Sequence, residues 1–248
     1  MFLKFFLAAL ISAITYIDAT AVGQTMISRP IVSAPIIGLI LGDLQTGILV
    51  GVLLELLWVG TLPVGATVPP ESTFAAVNTV AIAILTGFTD VSSLILIFIF
   101  LIPFLYIASF FEDKIRGKNN KLTIIAEKLI EEGKLDKLVR LHFLGLSRFF
   151  SKTFIISLIA VTIGYYIIPP VYQDLPQSFY NTLEIGGKIL PILGVAVVID
   201  LLINKRNLYF LFLGLLLGLF NVNLWLLLLI SIVAVILYLL FLRGGDFE

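Results

Sequence analysis

Cysteine is absent from this chain, which removes disulfides, thiol catalysis and thiolate metal sites together. Histidine is almost absent. His142 is the single one, so there is no imidazole pair to hold a metal, and its place in Arg140-Leu-His-Phe-Leu-Gly reads as an interfacial residue. No Gly-x-x-x-x-Gly-Lys loop occurs, leaving energisation by ATP bound to this chain without support. Charge is scarce as well: 13% of residues are charged and the net charge is zero, against 60% hydrophobic. With a mean hydropathy of +1.12, no soluble domain of this size could keep such a composition off its surface. The chain therefore reads as an all-α polytopic integral membrane protein in a lipid bilayer, with no catalytic residue, metal or cofactor expected.

Charge-free stretches long enough to cross a hydrocarbon core of about 30 Å lie at 91–111, 153–173 and 207–242, the last with room for two passes. They are continuous and rich in Leu and Ile, unlike the alternating strands of a barrel. Apolar runs in the first half are shorter, near 5–17, 31–41, 47–59 and 74–88, and each is punctuated by Gly, Pro or a polar residue. The first run is read as a retained helix rather than a signal peptide, since only Lys4 supplies positive charge. Short interrupted helices and re-entrant segments are how transporters aim backbone groups at a solute. A similar irregularity is expected at Glu184-Ile-Gly-Gly-Lys-Ile-Leu-Pro191. This divides the chain into a first membrane half (1–110), a charged connector (111–152) and a second membrane half (153–248), the two halves being candidate distant repeats.

The connector between 112 and 152 holds ten Lys/Arg and six Asp/Glu. By the positive-inside rule it is expected on the cytoplasmic side, with amphipathic helices at the membrane surface or docking a cytosolic partner. Its lysines are interleaved with acids and flanked by spans, which argues against nucleic acid.

Glu55 stands inside the apolar Gly47-Ile-Leu-Val-Gly-Val-Leu-Leu-Glu-Leu-Leu-Trp58. An ionised side chain at bilayer depth costs on the order of 3 kcal/mol, so it persists mainly where it lines a polar site. It is expected either to hydrogen-bond a polar solute or to lock two helices through Arg29 or Lys188. Directly after it, Pro63, Gly65, Pro69 and Pro70 cannot sustain helix, and their unpaired backbone groups suit a ligand rich in hydroxyls. Thr67 in this stretch and Glu71 at its end are candidates for substrate contact, Glu71 alternatively capping the next helix. Asp18 and Gln24, in the polar interruption 17–25, are further lining candidates, as is Gly187. Asp43 reads as a turn residue.

Taken together, Ser28-Arg-Pro-Ile-Val-Ser-Ala-Pro-Ile-Ile-Gly-Leu-Ile-Leu-Gly-Asp-Leu-Gln-Thr-Gly47, Glu55 and the Pro63-Val-Gly-Ala-Thr-Val-Pro-Pro-Glu71 run resemble the membrane subunit IIC of the mannose–fructose–sorbose family of bacterial phosphotransferase systems. Phe220-Asn-Val-Asn-Leu-Trp-Leu226 is similar to the family's late Phe-Asn-Leu stretch. The resemblance implies a sugar-translocating subunit of the bacterial cytoplasmic membrane that pairs with a membrane subunit IID in an oligomer. Cytosolic IIA and IIB domains would carry the phosphoryl group and phosphorylate the sugar as it is delivered inward. An ion-coupled secondary transporter using Glu55, or a non-transporting scaffold or receptor, stays open on the residues alone.

Overall fold

The computed structural model of the chain describes residues 1–20, 22–61, 71–203, 208–219 and 223–244. Regular structure among the described residues is entirely α-helical: α1 (Phe2–Thr20), α2 (Pro30–Leu41), α3 (Leu44–Trp58), α4 (Ser72–Thr86), α5 (Val91–Glu131), α6 (Asp136–Gln173), α7 (Gln177–Leu202), α8 (Leu208–Leu219) and α9 (Leu224–Gly244). Of these, α1, α5, α6 and α7 are long and apolar enough to cross a membrane. The chain is a multi-pass membrane protein built from long spans and short helices, as its composition predicts. It divides into two compact units, Met1–Val197 and Val198–Glu248.

Within the first unit α4 is the axis, packed against α1, α2, α3, α5 and α6. Its residues Thr73 to Ala83 are all buried, which is where a short helix that is apolar on every face has to lie. Of the polar groups it carries inward, Asn78 donates to the Phe74 carbonyl at 2.8 Å and accepts from the Ser157 hydroxyl of α6, whereas the Thr79 hydroxyl is without a partner among the described residues. Helices α2 and α3 form a tight hairpin. Gly42 ends α2 in the left-handed conformation (φ 97°), its N–H reaching the Gly38 carbonyl. Asp43 then caps α3 by accepting from the Thr46 N–H at 3.0 Å. The two backbones meet at glycines: a Cβ on Gly47 would lie 2.7 Å from the Ala34 carbonyl oxygen, and one on Gly38 2.9 Å from the Gly47 Cα. Small residues let membrane helices approach this closely.

Helices α5 and α6 do not stop at the ends of the charge-free stretches. At 1.5 Å per residue, 41 and 38 residues make rods of about 60 Å, twice the hydrocarbon thickness, joined by a short turn at Gly133 (φ 69°). The amphipathic helices expected in the connector 112–152 are thus the far ends of α5 and α6. At the other end of α5, Asp90 accepts from the Ser93 N–H at 3.2 Å and the Tyr172 hydroxyl at 2.6 Å. Burial pushes the Asp90 carboxyl up, but the Tyr172 and Ser93 hydrogen bonds outweigh it and hold the carboxyl below its ordinary value.

The break expected at 184–191 does not occur. Helix α7 runs through Gly186, Gly187 and Pro191 without interruption, because an interior proline removes one backbone bond and in a membrane helix that loss is re-satisfied locally. The glycines serve packing instead. A Cβ on Gly187 would run into the Val91 side chain of α5, and one on Gly194 into Leu56 of α3, whereas Gly186 faces open space. In the second unit α8 and α9 are apolar and largely exposed, with Phe210 and Tyr238 meeting edge to face at 5.5 Å.

Two outcomes follow from this packing. Gly47→Leu overpacks the α2–α3 contact and should cost about 1–3 kcal/mol, while Gly186→Leu should unfold as wild type in detergent, followed by tryptophan fluorescence. Because the folded Asp90 carboxyl titrates below its ordinary value, its stabilising contribution is present above about pH 4 and lost as pH falls through the folded value. Asp90→Asn should therefore flatten the acid limb of the stability profile.

A buried ion-pair cluster as the candidate functional site

The sequence leaves few charges inside the membrane-sized part of the chain, and the fold gathers three of them into one cluster centred on Lys152. Its ammonium on α6 lies 2.7 Å from the Glu112 carboxylate of α5 and is ion-paired with Glu71, the N-cap of α4. All three are buried, with Glu71 at 4%, Glu112 at 1% and Lys152 at 7% exposure. Glu112 also accepts from Arg116 one turn further along, at 3.1 and 2.9 Å. The Tyr16 hydroxyl of α1 donates to Glu112, and the Tyr16 ring lies 4.2 Å from the Lys152 ammonium. Two carboxylates against Lys152 and Arg116 leave no net charge to bury. One acceptor remains open: the second oxygen of Glu71 is buried without a hydrogen-bond partner among the described residues.

Asp18, two residues beyond Tyr16, ties down the loop 22–29. Its carboxylate accepts from the Thr25 N–H at 2.8 Å and hydroxyl at 2.7 Å, and from the Ser28 N–H and hydroxyl at 3.3 Å. Those bonds hold a backbone with left-handed residues at Gly23, Gln24 and Met26 (φ 77°, 51° and 69°). Gln24 is exposed on this loop. The Ser28 carbonyl accepts from the Thr73 hydroxyl at 2.5 Å, two residues past Glu71. Next in the chain, Arg29 reaches Glu55 of α3, Nε to Oε1 at 2.7 Å, and the other Glu55 oxygen accepts from the Ile31 N–H at 3.2 Å. Glu55 thus binds α3 to the N-terminus of α2, where amides lack helical partners. Lys188 is not involved; it pairs with Glu184 on the exposed face of α7 at 2.7 Å.

The fold therefore brings Asp18, Gln24, Glu55 and Glu71 around one loop. Gly187 is elsewhere: it packs on Val91, and Glu112 lies 21 residues along α5 from that point, about 32 Å. Thr67 lies outside the described residues, as do Pro63, Gly65, Pro69 and Pro70. Glu112, Lys152 and Tyr16 were not among the sequence candidates. Their partners stand 40, 81 and 96 residues away, so no local pattern joins them. One signal was available: Glu112 and Lys152 are the first charges beyond the apolar stretches 91–111 and 153–173.

Removing one member of such a cluster strands the others. Lys152→Met should destabilise the protein by ~3–5 kcal/mol, and adding Glu71→Gln and Glu112→Gln in the same chain should restore most of it. Thermal unfolding of the purified variants checks both.

A family profile described as the sorbose-specific IIC component of the phosphotransferase system matches residues 2–240. The chain is 26% identical over 212 residues to the mannose-specific EIIC component of Escherichia coli K12, covering 85% of this chain and 78% of that protein. It is 26% identical over 219 residues to the fructose permease IIC component of Bacillus subtilis 168, covering 88% and 80%. A shorter match, 46% identical over 65 residues, joins 26% of this chain to the putative N-acetylgalactosamine permease IIC component 2 of Escherichia coli K12, about half of whose length (49%) it spans. Among solved structures, one described as a membrane protein aligns with a TM-score of 0.75 at 23% identity, covering 96% of this chain and 95% of that one. Another, in the complex of the mannose transporter ManYZ with microcin E492, aligns at 0.58 and 24%, with the same coverage. These two likenesses establish a shared fold.

Proposed function

The chain belongs to the family of phosphotransferase-system sorbose-specific IIC components, and from that premise we propose that it binds a hexose within the membrane and passes it inward to be phosphorylated by a partner. The observation that carries the reading is Glu71: a buried carboxylate with one oxygen on Lys152 and the other without a partner among the described residues, standing directly after the proline- and glycine-broken run 62–70. A sugar hydroxyl donating to that oxygen satisfies both groups. Gln24 on the exposed loop and Thr67 in the run are further ligands in this reading. Asp18 and Glu55 are engaged by the loop and by Arg29, and they hold the walls of the site.

The cluster lies where α5 leaves its apolar stretch for the basic hairpin. With that hairpin in the cytoplasm, as its charge bias favours, the site sits near the inner face of the bacterial cytoplasmic membrane. There the sugar can be handed to cytosolic IIA- and IIB-like phosphocarriers. The exposed apolar faces of α7, α8 and α9 suit lipid and a second, IID-like membrane subunit.

The test is uptake of labelled hexoses into vesicles with and without phosphoenolpyruvate and the cytosolic components. Phosphorylated sugar should appear inside only when both are supplied. Glu71→Gln should lower sugar affinity by about tenfold or more, one charge-assisted hydrogen bond being worth ~1.5–3 kcal/mol, in a protein that still folds, at reduced thermal stability, because Lys152 keeps Glu112 as its partner. Uptake driven by an ion gradient alone would replace this reading with a secondary transporter. Single cysteines at Lys118 or Lys134 should react with an impermeant reagent from the cytoplasmic side alone; labelling from outside intact cells would reverse the orientation.

A further inference from the structure

A groove of ≈ 600 Å³ runs along the outer side of the α5–α6 hairpin. Most of its length is hydrocarbon: Phe104, Ile107 and Phe111 of α5 face Ile155 and Ile159 of α6. Its end nearest the hairpin turn is polar and basic, carrying Lys118 with Ser147, Arg148 and Ser151. Among the described residues no carboxylate lines it. Lys152 also borders the groove, but its charge is taken by Glu71 and Glu112. Arg148 is held in place by a hydrogen bond to Asn119 at 2.9 Å. Lys118 is exposed and forms no ion pair among the described residues.

The dimensions match those of one leaflet. From Phe104 to Ile115 the helix rises about 16 Å, and from Ile159 to Arg148 on the antiparallel partner about the same, against ~15 Å for half of a 30 Å hydrocarbon core. The two cations then stand at headgroup depth. We propose that this groove is a binding site for an anionic glycerophospholipid, one acyl chain lying along Phe104, Phe111 and Ile159 and the phosphate between Lys118 and Arg148. Basic pockets between transmembrane helices select anionic headgroups in this way. The Ser151 hydroxyl donates to an ester or glycerol oxygen, while the Ser147 hydroxyl is engaged by the Leu144 carbonyl at 3.0 Å. A zwitterionic lipid would bring its own cation against Lys118 and Arg148, which sets the selectivity.

The test is native mass spectrometry of the full chain, with whatever membrane subunit co-purifies, released from nanodiscs holding equal phosphatidylglycerol and phosphatidylcholine. Phosphatidylglycerol should be retained about tenfold or more over phosphatidylcholine. Lys118→Gln with Arg148→Gln should reduce that preference to about twofold or less, and Lys118→Arg with Arg148→Lys should preserve it. Ile107→Trp, which fills the apolar half, should lower retention of both lipids. All of these positions border lipid or water, and unchanged thermal unfolding verifies the fold. Equal retention of the two lipids by the wild type would mean ordinary annular lipid and overturn the proposal. So would undiminished phosphatidylglycerol preference in the double Gln variant. Loss of a co-purifying membrane subunit from that variant, with lipid retention unchanged, would make the groove a protein interface instead.

Discussion

The pairing of Lys152 with Glu71 and Glu112 is the constraint on which the first unit depends. Each of the three residues starts or crosses a different helix, α6, α4 and α5, and Tyr16 adds α1. A buried ammonium without its carboxylates, or either carboxylate without the ammonium, is far more costly than the intact set. The four helices are therefore held in one register at the level where the apolar part of the chain ends. An apolar interface alone would not do this inside a membrane, where lipid tails compete equally for hydrophobic faces.

Around that fixed point the rest is arranged by close backbone packing. The α2–α3 hairpin closes on Gly38 and Gly47, and α7 meets the unit at Gly187 and Gly194. The Asp18 loop and the Arg29–Glu55 pair then bind the ends of α1, α2 and α3 to the start of α4 through Ser28 and Thr73. Broken backbone beside a membrane is tolerated only where such partners exist; Asp18 and Glu55 supply them around the loop 22–29, while one oxygen of Glu71 is without a partner among the described residues.

Much of the helical layout was legible in the sequence because the punctuation is local. Runs near 31–41, 47–59 and 74–88 became α2, α3 and α4 within a few residues, with Gly42 ending α2, Asp43 starting α3 and Gly87 ending α4. Arg29 was also identified as a partner for Glu55. Lys188 was not that partner, and Gly186, Gly187 and Pro191 did not break α7, since glycine and proline in a membrane helix mark close packing as often as interruption. Glu112 and Lys152 fell within the charged surface connector on sequence alone, because hydropathy cannot distinguish a charge at the rim of a span facing water from one turned inward, whereas Glu71 stood among the substrate candidates. Only the packing of α1, α4, α5 and α6 decides that.

The α5–α6 hairpin has one more consequence. Between its turn at Gly133 and the membrane-level residues Glu112 and Lys152 neither helix is interrupted. A jointless pair of rods behaves as a lever: a twist or tilt applied at the tip, some 28 Å out along α5, cannot be absorbed on the way and arrives at the ion pair. Whatever grips the hairpin from the aqueous side thereby has a mechanical handle on Glu71.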